Sequence, residues 1–226
     1  MLYILQARLQ AFLTHQIAPE QAGFVKGRGT WEQILNTRQL IEKAREYSVP
    51  IYLCFVDYEK AFDNVRWPKL WTTLGELGVP AHLITLVKNL YKASKAVVKT
   101  DTTLEIVMRR TLENWNGGVK ISGRRFSNLR FADDTLLTAQ NAEELLESLR
   151  RLEEVSRECG LKINELKTKI MIIDRDNENQ RQPQKIENFE VVDKFIYLGS
   201  MLHKSGSCEF EIRRRIEIAR SAMIKM

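Results

Sequence analysis

No stretch of these 226 residues is apolar for long enough to cross a bilayer, which takes roughly 20 consecutive apolar residues. The first residues, Met1-Leu-Tyr-Ile-Leu-Gln-Ala-Arg8, lack the basic start and the small-residue cleavage site of a secretory leader. Cysteine is scarce. Cys54, Cys159 and Cys208 are far apart and odd in number, which argues against a disulfide framework or a zinc cluster and fits reduced thiols. The three histidines, His15, His82 and His203, are equally scattered, so no histidine-based metal centre is expected. These scarcities lead us to expect an intracellular protein with no membrane partner; nucleus and cytoplasm are not distinguished.

The chain is long enough for a real core in one domain or two small ones, and 44% of its residues are hydrophobic. Lys and Arg number 35 against 29 Asp and Glu, for a net charge of +6. A basic surface of this kind is compatible with a polyanionic partner.

Periodicity divides the chain into elements. Residues 1 to 18 read as a helix with Leu2, Leu5, Leu9, Phe12 and Leu13 on one face. A glycine-rich loop, Gln21-Ala-Gly-Phe-Val-Lys-Gly-Arg-Gly-Thr30, leads to a helix ending near Tyr47, with Thr30 and Gln33 as its capping-box signal. A strand follows from Ile51 to Val56. Helices are predicted to Leu77 from a first turn at Pro68, over 81–92 and over 104–115, with short strands from Val119 onward. Asn141 to Cys159 is the clearest helix, with Leu145, Leu149, Leu152 and Val155 as its stripe and Gly160 as its stop. A strand over 169–173, a polar loop over 174–188, a hairpin over 191–202 and a basic helix from Glu209 complete the reading. Strands and helices mix without strict alternation, so the fold class is α+β.

Acidic residues interrupt the apolar runs at two places. Asp133 and Asp134 fall at the turn between two apolar segments of Leu129 to Ala139, and Asp57 ends the strand Ile51 to Val56. Asp is a common turn residue, so the pair alone would fit a solvated hairpin. Together with Asp57 it supplies carboxylates at a sheet edge. A two-metal phosphoryl-transfer site needs such rigidly held oxygen ligands, with its ions about 3.5–4 Å apart.

The segments around these acids resemble the reverse transcriptase domain of non-LTR (LINE-type) retrotransposons. Phe55-Val-Asp-Tyr-Glu-Lys-Ala-Phe-Asp63 resembles that family's first catalytic motif, and Phe131-Ala-Asp-Asp134 its signature aspartate motif. Gln21-Ala-Gly-Phe24 with Gly27-Arg-Gly-Thr30 resembles the fingers-region loop. Cys159-Gly-Leu-Lys-Ile-Asn164 with Lys167-Thr-Lys169 resembles the next palm motif, and Phe195-Ile-Tyr-Leu-Gly-Ser200 the primer-grip hairpin. The five motifs stand in family order over about residues 20 to 202.

The resemblance implies a palm-like antiparallel sheet with packed helices and a partial fingers region. Residues 1–50 would be fingers, 51–202 palm, and 203–226 the start of a thumb or connection helix. It implies an RNA-directed DNA polymerase acting on an RNA template, a DNA primer and deoxynucleoside triphosphates, with two Mg²⁺ ions or Mn²⁺ in their place. Asp57, Asp133 and Asp134 would hold the metals, Tyr58 would offer its backbone carbonyl, and Lys167 would protonate the leaving pyrophosphate. Phe62 would gate against the ribose 2′-hydroxyl. Lys26 and Arg28 would approach phosphates or simply occupy an exposed turn. Tyr197 and Gly199 would belong to the primer grip. Arg213, Arg214 and Arg215 would track a nucleic-acid backbone or form a solvated basic face.

Two departures matter. Val25 stands where the family usually has an arginine. The family's Arg-Gln-Gly…Ser-Pro segment, which positions nucleotide and template base, is missing: Lys99-Thr-Asp-Thr-Thr-Leu104 runs directly into Glu105 to Trp115. The match also begins after the first fingers motifs and stops soon after the primer grip. Positioning supplies up to about 7–11 kcal/mol in well-ordered sites, so little turnover is expected. A non-enzymatic nucleic-acid-binding remnant is the alternative.

Overall fold

The apolar run ending at Asp57 forms β1 (Ile51–Val56), the strand on which both cores are built. In this computed structural model, residues 2–59, 67–93, 102–121, 123–177 and 182–224 are described. Ahead of β1 lie α1 (Leu2–Leu13) and α2 (Thr30–Glu46). After it come α3 (Trp67–Glu76), α4 (Ala81–Ala93), α5 (Thr102–Thr111), β2 (Val119–Ile121), β3 (Arg124–Phe126), β4 (Asn128–Phe131) and β5 (Asp134–Ala139). The chain continues with α6 (Ala142–Cys159), β6 (Lys169–Ile173), β7 (Lys185–Ile186), β8 (Phe189–Val191), β9 (Lys194–Tyr197), β10 (Ser200–His203) and α7 (Glu209–Ile224).

Six strands make the main sheet in the order β4-β5-β1-β6-β8-β7, antiparallel except where β6 meets β8. Alternation along β1 sends its side chains to opposite faces. Cys54 and Val56 join Leu137, Ile170 and Ile172 beneath α5 and α6, where Val107, Met108, Leu145 and Leu152 close the layer. Ile51, Leu53 and Phe55 join Leu136, Met171 and Ile173 on the other face, covered by Leu40 and Ile41 of α2 and by Tyr197 and Leu202 of the β9–β10 hairpin. A third cluster, Leu70, Leu74, Val79, Leu83 and Ile84, gathers α3 and α4 and receives Leu5, Leu9 and Leu13 of α1. The palm-like α+β fold expected from the sequence is present.

Local chemistry fixes the ends. Asn141 caps α6 by accepting from Glu144 N at 2.8 Å, and Gly160 ends it in the left-handed conformation at φ 84°. The start of α2 differs from the sequence expectation. Gly29 is the N-cap, and its amide donates to Glu32 at 2.7 Å, while Gln33 faces the interior. A Gly at the cap lets the first turn form one residue earlier and makes Glu32 the third helical residue. Helix α5 stops at Thr111 rather than Trp115. The polar stretch 174–188 contains β7, which folds back on β8 through Glu187 at φ 51°.

Candidate active site

Antiparallel pairing carries the three acids to one end of the sheet. The ladder between β1 and β5 ends at Val56 opposite Thr135, and one step further stand Asp57 and Asp134. Asp133 lies in the two-residue turn between β4 and β5, closed by Phe131 opposite Asp134. Asp57 is anchored through its backbone: its amide donates to Thr168 Oγ1 at 3.2 Å, and its carbonyl accepts from Asn164 N at 2.8 Å.

The acids interact electrostatically. Asp134 keeps solvent access, yet protein crowded around its carboxyl, together with the charges of Asp133 and Asp57, pushes its pKa up to about 6. Burial likewise raises Asp57, opposed by Lys167 and reinforced by Asp133. Lys167 Nζ stands 4.0 Å from Asp57 Oδ2, an oxygen that is buried and has no hydrogen-bond partner. Lys167, which the resemblance offered as a proton donor to pyrophosphate, thus stands beside Asp57.

The other candidates fall in different settings. Tyr58 forms a bridge with Ile163, but the bridge's hydrogen bonds run from Glu59 N to Lys162 O and from Asn164 N to Asp57 O, leaving the Tyr58 carbonyl unused by it. Its ring is buried and its hydroxyl lies 3.4 Å from Ser156 Oγ. Burial pushes that phenol up to about 12. Phe62 and Asp63 lie outside the described residues. Lys26 is exposed, and Arg28 donates to the carbonyls of Pro19 (2.7 Å) and Gln21 (2.9 Å), closing its own loop.

Tyr197 is 3% exposed, packs on Phe55 at 5.5 Å between ring centroids, and buries its hydroxyl without a hydrogen-bond partner. Gly199 occupies the β9–β10 turn at φ 81° after Leu198 at φ 48°, the paired positive angles of a type I′ hairpin turn. Arg214 and Arg215 both donate to the Gly199 carbonyl, at 2.6 and 3.0 Å, and both pair with Glu211. Arg213 pairs with Glu209 on the exposed side of α7. Arg214 and Arg215 therefore secure the hairpin to α7.

The family model for reverse transcriptase (RNA-dependent DNA polymerase) matches residues 1–202. The chain belongs to the reverse transcriptase family. Curated relatives point to mobile elements. A Pol polyprotein from the type-1 retrotransposable element R2 of Nasonia vitripennis is 24% identical over 85% of this chain and 22% of its own length. A transposon-derived protein of Caenorhabditis elegans is 33% identical over 46% of this chain and 38% of its own. A 149 kDa protein of transposon TX1 from Xenopus laevis is 29% identical over 43% of this chain and 7% of its own. The chain thus spans well under half the length of each. Among solved structures, apo telomerase from Candida tropicalis truncated from its C-terminal domain superposes with a TM-score of 0.54, at 11% identity, over 90% of this chain and 43% of that one. That likeness extends to the fold.

Reverse transcriptases generally use divalent metal ions, and the donor chemistry of this reverse transcriptase domain fits them. Three carboxylates supply hard oxygen ligands, burial and neighbouring carboxylates raise the proton affinity of Asp57 and Asp134, and Asp57 Oδ2 is buried with no hydrogen bond, only Lys167 at 4.0 Å. Among the described residues no three His, Cys, Asp or Glu side chains converge as a metal cage.

The sequence reading assigned no role to Arg130 and Glu105 and read Gln33 only as part of a capping box, yet all three sit beside the aspartate turn. Arg130 and Glu105 form a buried ion pair at 2.9 Å, and Gln33 donates to the carbonyls of Glu20 (2.8 Å) and Arg130 (3.0 Å). One signal was readable: Gln33 sits on the same helical stripe as Leu40, Ile41 and Ala44, where a polar residue needs a partner.

Proposed function

We propose that this domain performs, or descends from one that performed, template-directed DNA synthesis on RNA. Asp57, Asp133 and Asp134 would hold two Mg²⁺ ions, which when bound activate the primer 3′-hydroxyl and neutralise the triphosphate. The observation that carries this reading is the meeting of Asp57 with the Asp133–Asp134 turn at one end of an antiparallel sheet, with Lys167 beside it. Lys167 would counter charge building on leaving pyrophosphate. The Tyr58 carbonyl, which its bridge does not use, would join the metal shell.

A second reading is favoured by the short connection between α4 and α5. Only residues 94–101 separate them, where the family carries its nucleotide-positioning segment. The domain would then bind nucleic acid with little or no turnover. Extension of a DNA primer on an RNA template, with Mg²⁺ or Mn²⁺ and with Asp133→Ala as control, separates the two. Extension abolished by the substitution supports a working palm. Cooperative melting and salt-sensitive RNA binding without extension support the binding remnant.

A further inference from the structure

Gln21 is 2% exposed and is placed against the catalytic turn from a loop more than a hundred residues away in sequence. Its Oε1 accepts from Ala132 N at 3.1 Å and from Gly23 N at 2.7 Å, and its Nε2 lies 3.4 Å from Ala132 O. Both backbone polar groups of Ala132 are thus met by one side-chain amide. Ala132 is the first residue of the two-residue turn that carries Asp133, and its φ is 57°. Positive φ at the first position alone is the type II′ pattern, where glycine is usual and an L side chain is strained.

The loop is pressed directly onto this turn. A Cβ on Gly23 would lie 2.1 Å from Ala132 N and 2.7 Å from Ala132 Cα, so only glycine permits the approach. Beside it, Gln21 and Arg130 form a parallel bridge, Arg130 N donates to Glu20 O at 3.0 Å, and Ala22 N donates to Arg130 O at 2.9 Å. The backbone on either side of Gln21 is therefore tied to Arg130. A glutamine so buried, uncharged and doubly committed does not contact substrate; its three side-chain hydrogen bonds are directed at one strained residue and the loop around it.

We propose that Gln21 is a positioning residue: by clamping Ala132 in the left-handed conformation it fixes the turn from which Asp133 and Asp134 reach a divalent metal. This rests on the metal-binding reading above. Outer partners of metal ligands typically change affinity about 10–100-fold when removed.

The test is Mn²⁺ binding by the whole chain, read as loss of the free-ion electron paramagnetic resonance signal, together with thermal melting. Five proteins are compared: wild type, Asp133→Ala, Gln21→Met, Ala132→Gly, and Gln21→Met with Ala132→Gly. Wild type is expected to bind Mn²⁺ in a manner lost in Asp133→Ala. Gln21→Met should weaken binding about tenfold while the protein still melts cooperatively. Glycine adopts the turn unaided, so in the Ala132→Gly background the same substitution should cost less than about twofold. Equal losses in both backgrounds, or none, would overturn the clamp. Should Gln21→Met unfold the protein, the melting midpoints decide: folding restored by Ala132→Gly supports the clamp, and no restoration refutes it. Absence of Asp133-dependent Mn²⁺ binding in wild type would refute the metal reading instead, and the clamp would then be judged on the midpoints alone.

Discussion

Removing Glu105 should cost this domain a large part of its stability, and restoring an apolar match at Arg130 should return most of it. The Glu105–Arg130 pair is 2.9 Å long, with side chains only 6% and 3% exposed. It joins α5 to β4, and Glu105 also accepts from Ala18 N at 3.2 Å. Glu105→Leu leaves a guanidinium buried without its counter-charge, on a side chain whose Nε already lacks a partner. Breaking a buried pair from one side costs about 3–5 kcal/mol. Against a total of about 5–15 kcal/mol that is severe. At about 2–4 °C per kcal/mol for a domain of this size, melting should fall by roughly 6–20 °C. Arg130→Met alone should cost a similar amount. The double substitution removes both buried charges, so it should recover all but the loss from the unpaired Ala18 amide, about 1–3 kcal/mol. Urea denaturation of the four proteins gives the coupling directly. Additive losses in the double variant would refute the reasoning, because they would mean that the two charges do not depend on each other.

Asp134→Asn should stabilise the fold at pH 7.5. The Asp134 carboxyl is raised to about 6 in the folded state, so the folded protein holds that proton more tightly than the unfolded chain. Its contribution is full below about pH 4 and is lost as pH rises through about 6. The gain from Asn should be on the order of 1 kcal/mol, after discounting for solvent screening of a partly exposed carboxylate, and should fade toward pH 4 in melting curves. Glu211→Gln should loosen the β9–β10 hairpin, because Glu211 holds Arg214 and Arg215 against the Gly199 carbonyl and accepts from Met201 N at 2.8 Å. Amide exchange over 194–203 should accelerate while exchange over 142–159 stays unchanged. Alkylation of the native protein followed by mass spectrometry should modify Cys208 alone, since Cys54 and Cys159 are buried and desolvation raises the Cys54 thiol far above its ordinary range. Rapid labelling of Cys54 without unfolding would contradict the central place of β1.

The elements most legible in the sequence are those whose signals are local. Ile51 to Val56 is apolar and rich in β-branched and aromatic residues, and it forms a strand with those bounds. Asn141 and Gly160 bracket α6 because capping chemistry is written in adjacent residues. The candidate acids were legible for the same reason: charge at the end of an apolar run. Strand β7 was not, since Lys185 and Ile186 pair only because β8 is next to them. Nor were the pairings of Gln21 with Ala132, Gln33 with Arg130 and Glu105 with Arg130, which span 25 to 111 residues and are set by tertiary packing. Arg214 and Arg215 show the same limit. A run of three arginines reads as solvated charge or a phosphate contact, and only the fold reveals the carbonyl of Gly199 beneath two of them.

The loop that clamps the aspartate turn also closes the sheet. Strand β4 is an end strand, and residues 20–22 lie along its outer edge, bonded to Arg130. At the far end β7 is only two residues long and carries Lys185. Short, charged or covered edges are how sheets avoid recruiting strands from other molecules. Damage to the loop should therefore bare a hydrogen-bonding edge beside the acids, and its first visible consequence would be concentration-dependent self-association. For such a variant, solubility on dilution is as informative as catalysis.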